Sequence, residues 1–381
     1  MMKHNILINC SNLHAGGGVA VATSIIDCLS RIDHKDAVIS VLLSTSVENN
    51  LRELGTDLSV FERSETRDFF GIGALWQGLD RYFQGFDLVF TVFGPAYFMH
   101  RNTLHLFGFA QPNIVYPTNL HTQQMDFFER WLNRLKFEIQ AWFFTRADEL
   151  VVELEHVKVG LYKRRLFRNK VINVVYSSVH SVFTQAACWA PLVLGDNPSG
   201  LKLGVISRNY PHKNLAILVE VKRLLLERYG REVNIFVTFT AKEWAACEEH
   251  FRENIINVGG LSLSQCPTFY SAMDGIVFPS LLECFSAVPI ETLIMKRPLF
   301  ASNLSFIKDV CGEHCNYFLP LDPADIARVI DAYFHLPLLQ QQNFCEVAYA
   351  YVKRFPEADK RAAQYLKLIG EALSKVQINS I

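Results

Sequence analysis

The sequence is informative first for what it lacks. No uninterrupted apolar stretch among the 381 residues is long enough to span a bilayer, and the apolar segment near the N-terminus is too short for a signal peptide. Charge of one sign is not in excess either, since the net charge is −1 and the pI is near 6.9. That balance gives no support for a nucleic-acid partner. These absences predict a cytoplasmic protein, or one peripheral to the inner face of the plasma membrane.

Two familiar ligand-binding motifs are also missing. The nine cysteines are scattered, and Cys311 and Cys315 have no second ligand pair at the spacing of a zinc site. We therefore expect small buried thiols in a reducing compartment. The triplet of glycines at residues 16–18 follows an apolar segment, but Val21 stands where a G-x-G-x-x-G motif has its third glycine. A nicotinamide-dependent enzyme therefore has little support.

The length and the pattern of apolar segments predict two α/β domains. A chain of 381 residues, half of them hydrophobic, is too long to fold around one ordinary hydrophobic core. Short apolar strands alternate with helical segments in both halves, which is typical of parallel sheets covered on both faces. We expect a Rossmann-like domain at residues 1–190, a linker at 191–200, a second Rossmann-like domain at 201–357 and a C-terminal helix at 358–381 that packs back on the first domain. Two doubly wound domains facing each other form a cleft, the usual position of a small-molecule site.

Two glutamates separated by seven residues mark a candidate site in the second domain. The apolar run Gly275–Phe278 predicts a buried strand, and Pro289 suits the first turn of a following helix. Glu283 then lies in a strand-to-helix loop, and Glu291 lies in the helix. Because open α/β sheets bind ligands beyond the C-terminal ends of their strands, this carboxylate pair predicts a ligand site.

Two cations follow the first strand of the same domain. Arg208 comes directly after an apolar strand, and Lys213 stands at the predicted start of the next helix. Cations near a helix N-terminus favour a diphosphate ligand, because their charge adds to the unpaired N–H groups. Arginine can also grip phosphate oxygens in a bidentate fork. The alternative is a solvated surface pair, the commoner arrangement of an Arg and a Lys in one loop.

Together these residues resemble a known family. Arg208 and Lys213 after a strand, then Pro279-Ser280-x-x-Glu283 and, after seven intervening residues, Glu291, resemble the donor-site signature of retaining GT-B glycosyltransferases of family 4, the glycosyltransferase group 1 type. The glycine triplet and the linker fall in matching order. The resemblance covers nearly the whole chain, most clearly residues 200–310. It implies a GT-B fold and sugar transfer from a nucleotide-diphosphate-sugar.

The resemblance implies a role for each matching side chain. Arg208 and Lys213 would bind the diphosphate of the donor and stabilise charge on the leaving group. Glu283 would lie beside the donor sugar and hold its hydroxyls, so these three residues are the expected catalytic set. Glu291 would accept hydrogen bonds from the ribose hydroxyls.

Backbone groups complete the implied donor site. The N–H groups near Ser286 and Ala287 would bind phosphate oxygens, and Gly16, Gly17 and Gly18 would let the first domain close on them. The sequence departs from the family here, since Ser286 and Val288 stand where members usually have glycine. The departure affects the shape of the loop and the identity of the donor.

A second departure concerns the first domain. Many members have a histidine at the end of a first-domain strand, near the donor sugar. The corresponding stretch here contains none, and Gln111 is the expected polar substitute for that contact. His105 and His121 are the alternatives.

The resemblance also implies the chemistry and the partners. No metal or other cofactor is required, because cationic side chains and a helix dipole stabilise the leaving phosphate, and this sequence has no Asp-x-Asp pair of the metal-dependent kind. The donor would be a nucleotide-sugar such as a UDP- or GDP-sugar. The acceptor would be a glycan or a polyprenyl-diphosphate-linked oligosaccharide of bacterial surface polysaccharide, such as lipopolysaccharide O-antigen. A nucleotide-sugar epimerase or hydrolase of the same fold and a non-catalytic sugar-nucleotide binder remain alternatives.

An aromatic and basic segment of the first domain indicates a membrane contact. Between Phe127 and Phe144, aromatic residues are interspersed with Arg130, Arg134 and Lys136 at helical spacing, and residues 163–170 add positive charge. A basic amphipathic helix is typical of a protein that lies on an anionic membrane surface. The alternative is that the aromatic residues belong to the core and the basic residues form a solvated face.

Overall fold

The chain divides into two compact units in the computed structural model, which describes residues 3–32, 37–99, 103–178, 180–194 and 199–379. The first unit comprises Met1–Thr118, Met125–Ser178 and Pro356–Ile381, and the second comprises Asn119–Gln124 and Val179–Phe355. The C-terminal segment therefore belongs to the first unit. The short segment Asn119–Gln124 belongs to the second unit, although the chain on either side of it belongs to the first.

Each unit is built on one parallel β-sheet. The strands of the first are β1 (His4–Asn9), β2 (Ala37–Leu43), β3 (Arg63–Thr66), β4 (Leu88–Thr91), β5 (Leu104–Gly108), β6 (Glu149–Val152) and β7 (Val171–Val174). Those of the second are β8 (Leu201–Val205), β9 (Val233–Val237), β10 (Ile256–Asn257), β11 (Gly275–Phe278), β12 (Leu299–Ser302) and β13 (Asn316–Phe318). The strand orders are β3-β2-β1-β4-β5-β6-β7 and β10-β9-β8-β11-β12-β13.

The α-helices connect these strands. In chain order they are α1 (Gly17–Arg31), α2 (Thr45–Glu53), α3 (Pro112–Val115), α4 (Leu120–Gln123), α5 (Phe127–Phe144), α6 (Glu155–Tyr162), α7 (Ile217–Tyr229), α8 (Ala241–Ala245), α9 (Glu249–Asn254), α10 (Cys266–Ala272), α11 (Ala287–Ile294), α12 (Ser305–Cys311), α13 (Pro323–Phe334), α14 (Leu338–Val352) and α15 (Ala358–Asn379). Within the described residues, no helix is long and apolar enough to cross a membrane.

The order of strands reverses once in each sheet. In the first sheet the reversal lies between β1 and β4, and in the second it lies between β8 and β11. Connections leave the two strands of each pair in opposite directions, which opens a crevice at their C-terminal ends. The predicted fold class, two Rossmann-like α/β domains, is confirmed.

The C-terminal helix completes the core of the first unit. Tyr365 and Ile369 of α15 are buried with residues of α1 and β1, and the Tyr365 ring lies 4.9 Å from that of Phe90 in β4. The fully buried Arg361 guanidinium donates a hydrogen bond of 3.1 Å to the hydroxyl oxygen of Ser177. This polar contact fixes α15 beside the segment after β7, where the chain leaves the first unit.

Two of the edge strands, β3 and β13, were not predicted from the sequence. β3 has the sequence Arg-Ser-Glu-Thr and contains no buried residue, while β13 has three residues and only Phe318 is buried. Both strands stand at sheet edges, where polar and charged side chains are common because one side of the strand is unpaired. They consequently lack the apolar run that identified the central strands.

Candidate functional site

The four predicted polar residues of the second unit lie beyond one edge of its sheet. Arg208 and Lys213 follow β8, and Glu283 and Glu291 follow β11, its neighbour in the sheet. These are the two strands at which the strand order reverses. The residues therefore stand at the crevice where α/β sheets of this type bind ligands.

Lys213 and Glu283 form a direct ion pair. The Lys213 ammonium donates to Glu283 Oε1, and the Ser280 hydroxyl donates to the same oxygen at 2.8 Å. The side chains of Lys213 and Glu283 are only 16% and 12% exposed. The ammonium also lies 5.4 Å from the centre of the Phe278 ring. Two hydrogen-bond donors and partial burial thus hold the Glu283 carboxylate in one orientation.

The loop that carries Lys213 differs from the predicted one. Lys213 ends a short 3₁₀ helix, Pro211–Lys213, and α7 begins only at Ile217. Asn214 adopts a left-handed φ of 56°, which interrupts the helical path, and its side chain donates to the carbonyl oxygen of Pro320 at 2.7 Å. Lys213 therefore precedes the helix and is not its first residue.

Arg208 is held by a carboxylate that the sequence had not indicated. Its Nε donates to Glu243 Oε1 at 2.8 Å, and the Asn209 backbone N–H donates to the same oxygen at 3.1 Å. Glu243 Oε2 accepts from the Thr240 hydroxyl at 2.6 Å. Burial raises the pKa of Glu243, but the hydrogen bonds from Thr240, Asn209 and Arg208 outweigh it, and the net shift is downward.

A capping box accounts for the position of Glu243. Thr240 is the N-cap of α8, and the Thr240 and Glu243 side chains each bond to the other's backbone N–H. The pattern Thr-x-x-Glu after the strand β9 was visible in the sequence as a helix start. Its second role, as the partner of Arg208, depends on the pairing of β8 with β9.

Glu291 occupies a less polar environment. It lies in α11, and its Oε2 accepts a hydrogen bond of 2.7 Å from the hydroxyl of Tyr270, which is fully buried. Burial raises the pKa of Glu291 to about 7, although the Tyr270 hydrogen bond opposes the shift. The carboxyl group is thus near its titration point at neutral pH.

The loop before α11 accommodates serine in place of glycine. Ser286 is the N-cap of α11 and has an extended φ of −138°, which any residue adopts, so the substitution causes no strain. No side chain caps this end of the helix. Ala287 is its first residue, and the N–H groups at a helix start have no partner within the helix.

Two histidines, His212 and His121, lie near Lys213. The His212 ring stacks on Tyr210 at 5.7 Å and meets the His121 ring of α4 at 6.0 Å. Burial lowers the pKa of His212 to about 4, the nearby Glu283 opposes this, and Lys213 and His121 reinforce it. Of the three residues considered for the polar contact near the sugar, the structure therefore places His121 in the second unit beside this site.

The other two are in the first unit. His105 is buried in β5 with its ring stacked on Phe98 at 4.0 Å, so it belongs to the aromatic core. Gln111 is the N-cap of α3, just beyond the C-terminal end of β5, and is partly buried. Gln111 thus lies at the ligand-binding edge of its own sheet, and His105 does not.

The glycine triplet also lies at that edge of the first sheet. Gly16 is the N-cap of α1 with a φ of 72°, and Gly17 and Gly18 form the first turn of the helix. A Cβ atom added at Gly16 or Gly17 would meet no atom within 4 Å. The open space leaves the backbone accessible, and the positive φ of Gly16 explains why glycine is favoured there.

The described residues contain no group of three or more His, Cys, Asp or Glu side chains that would hold a metal ion. The charged groups of the site are instead two cations, each bound to a carboxylate, and one carboxyl group with a raised pKa.

Two parallel-sheet units, with polar residues gathered where the strand order reverses, define the class of this protein: the chain has the GT-B fold. Its residues 200–335 match the model of the family described as Glycosyl transferases group 1. These residues include Arg208, Lys213, Glu283 and Glu291.

Solved structures resemble the chain over nearly its full length. A sucrose-phosphate synthase from Thermosynechococcus elongatus gives a TM-score of 0.72 at 12% identity, covering 98% of this chain and 100% of that one. Anabaena HepE in complex with UDP-glucose gives 0.68 at 11%, covering 97% and 100%. A glycosyltransferase from Rickettsia africae gives 0.68 at 17%, covering 97% and 99%. No curated protein sequence matches the chain.

Proposed function

We propose that the protein is a glycosyltransferase that transfers a sugar from a nucleotide-diphosphate-sugar to an acceptor hydroxyl. The proposal rests on the two ion pairs, Lys213 with Glu283 and Arg208 with Glu243. Both lie where the strand order of the second sheet reverses. The match of residues 200–335 to the group 1 glycosyltransferase model supports it. The likeness to a structure determined with UDP-glucose supports a nucleotide-sugar donor such as a UDP-sugar, and a GDP-sugar is the alternative.

The two cations would receive the diphosphate. Lys213 uses one of its three donors on Glu283, and Arg208 uses Nε on Glu243, so N–H groups of both remain for phosphate oxygens. Because the carboxylates fix both cations before the donor arrives, little reorganisation is needed as charge develops on the leaving group. The N–H groups near Ser286 and Ala287 and the backbone at residues 16–18 would supply further contacts.

The two glutamates would bind hydroxyl groups. Glu291, beside the Tyr270 hydroxyl, would accept hydrogen bonds from the ribose. Glu283, oriented by Lys213 and Ser280, would hold hydroxyls of the donor sugar. Gln111 or His121 would add a polar contact to that sugar.

The reaction would proceed with retention and without a metal. The bond between the anomeric carbon and the oxygen of the leaving diphosphate breaks, and its electron pair stays with the phosphate, where Arg208 and Lys213 stabilise it. The acceptor oxygen bonds to the anomeric carbon on the same face. The acceptor proton passes to the leaving phosphate. A glycan or lipid-linked oligosaccharide of bacterial surface polysaccharide is the proposed acceptor.

A turnover assay tests the proposal. The purified chain, a UDP- or GDP-sugar and a lipid-linked oligosaccharide fraction should release nucleoside diphosphate with transfer of the sugar to the lipid. Arg208→Gln should lower kcat by about a hundredfold, because one preorganised cation is lost. Arg231→Gln is the matched control, since Arg231 also donates Nε to a carboxylate at 2.8 Å but precedes β9, at the opposite end of the sheet.

The outcomes separate the alternatives. Acceptor-independent loss or isomerisation of the donor sugar would indicate a hydrolase or an epimerase, and binding without turnover would indicate a non-catalytic binder. Equal activity of Arg208→Gln and the wild type would remove Arg208 from the site. The Arg231→Gln variant should lose stability but keep its turnover.

A further inference from the structure

Helix α5 of the first unit presents a broad apolar face to solvent. Its N-terminus is defined by Asp126, whose carboxylate accepts a hydrogen bond of 2.8 Å from the Glu129 backbone N–H. The side chain of Phe127, in its first turn, is 85% exposed. Seven large apolar residues of this helix are exposed: Phe127, Phe128, Trp131, Leu132, Leu135, Ile139 and Trp142.

The spacing gathers these side chains on one side of the helix. Phe127, Trp131, Leu135 and Ile139 follow at intervals of four, and at 100° per residue all seven side chains fall within an arc of about 140°. Only Ala141, near the C-terminal end, and the two residues Phe143 and Phe144 are buried. The interpretation that the aromatic residues belong to the core therefore fails for the first three turns. Seven exposed large apolar side chains on one face of a helix mark an interaction surface.

Basic residues border this apolar face. At 100° per residue, Arg130 and Arg134 lie along one edge and Lys136 lies along the other. All three residues are exposed. A second basic segment is held beside the helix, because Arg164 donates to Glu138 of α5 at 2.6 Å. Lys163, Arg165 and Arg168 of that segment are exposed as well.

We propose that this face of α5 docks on an anionic phospholipid bilayer, with the helix lying in the plane of the interface. Tryptophan and phenylalanine insert at the depth of the headgroups, and flanking Lys and Arg attract anionic lipid, so this chemistry fits a membrane surface. A second copy of the chain would bring the same basic borders together, which opposes self-association through this face.

Docking would also place the first unit with respect to the membrane. Helix α5 lies on the connection from the C-terminal end of β5 to β6, so its exposed N-terminal half starts from the edge of the sheet where Gly16–Gly18 and Gln111 lie. If the proposed function holds, a lipid-linked acceptor would approach that edge from the bilayer. The docking itself requires neither donor nor acceptor and is measured without them.

Vesicle flotation of the full chain tests the docking. We expect recovery with vesicles of equal parts phosphatidylcholine and phosphatidylglycerol, weak recovery with phosphatidylcholine alone, and a decrease as salt is added. Arg130→Gln combined with Arg134→Gln should weaken binding to the anionic vesicles about thirtyfold, since each basic residue near such a surface contributes about 1 kcal/mol. Neutralising Arg228 and Arg252, two exposed cations of the second unit, should leave binding unchanged.

A second pair of variants tests the apolar face. Phe127→Ala with Trp131→Ala should abolish flotation without changing the unfolding transition, because both side chains are exposed. Leu338→Ala with Leu339→Ala, which removes two side chains that are 68% and 76% exposed on α14, should not affect it. Equal recovery with and without anionic lipid, or wild-type flotation of the α5 variant, would refute the proposal. So would a dimer in solution that the α5 variant converts to a monomer.

Discussion

At the scale of single residues, the site is defined by the partner group that each titratable side chain contacts. Lys213 and Arg208 each have a carboxylate partner, whereas Glu291 has a tyrosine hydroxyl and, among the residues described, no cation partner. The difference explains why burial raises the pKa of Glu291 to about 7. The consequence is a stability that depends on pH.

We expect the contribution of Glu291 to the free energy of unfolding to fall as the pH rises through the range between the ordinary glutamate pKa of 4.5 and about 7, while the lowered pKa of His212 acts in the opposite direction. The unfolded chain ionises first in that range, while the native Glu291 still holds its proton, so ionisation favours unfolding. The loss is bounded by about 3 kcal/mol. Glu291→Gln should remove this component of the pH dependence, as measured by urea unfolding at about pH 5 and about pH 8.

The control is Glu346→Gln, which changes a glutamate that is 57% exposed in the same unit. This variant should keep the wild-type dependence on pH. If Glu291→Gln also kept it, the proposed environment of Glu291 would be wrong.

At the scale of elements, the close approach of β4 and β5 depends on one glycine. A Cβ atom added at Gly108 would lie 1.7 Å from the carbonyl oxygen of Val92, which is backbone and cannot rotate away. Gly108→Ala should therefore destabilise the protein by about 3 kcal/mol or more, seen as a lower denaturant midpoint.

Gly370 provides the comparison. It lies in α15, and an added Cβ atom would meet nothing within 4 Å. Gly370→Ala should raise stability by about 0.5–1 kcal/mol, because glycine is entropically unfavourable inside a helix. A Gly108→Ala variant as stable as the wild type would show that the two strands separate more easily than their packing implies.

Many of the strands and helices were predictable from the sequence. The segments Glu149–Val152 and Gly275–Phe278 form strands with the predicted bounds, because their apolar side chains are buried in central strands. The edge strand β3 was not predicted, since its polar residues give no apolar run. The helix start near Lys213 was misplaced, because the left-handed Asn214 leaves no recognisable signal in a single sequence.

The candidate site was predictable in part for the same reason. The residues after β8 and β11 were identified because each follows a recognisable strand. Glu243 was missed because its role depends on which strand lies beside β8, and a pairing between strands cannot be read from local pattern.

At the scale of the whole molecule, the chain combines two sheets with the same parallel design. The return of α15 to the first unit and the assignment of Asn119–Gln124 to the second are consequences of tertiary packing. Neither the burial of Arg361 nor the exposure of the α5 face follows from composition, because both depend on what packs against a helix.

The central claim is that the second unit binds a nucleotide-diphosphate-sugar through Lys213 and its neighbours. Isothermal titration of the full chain with UDP-, GDP- and ADP-sugars measures this directly. We predict binding of at least one donor, about tenfold or more weaker in Lys213→Gln because a cation at the phosphates is lost. Lys296→Gln, which changes a lysine paired with Glu346 on the surface of the same unit, should bind like the wild type. Binding of none of these donors, or equal affinity in Lys213→Gln, would contradict the claim.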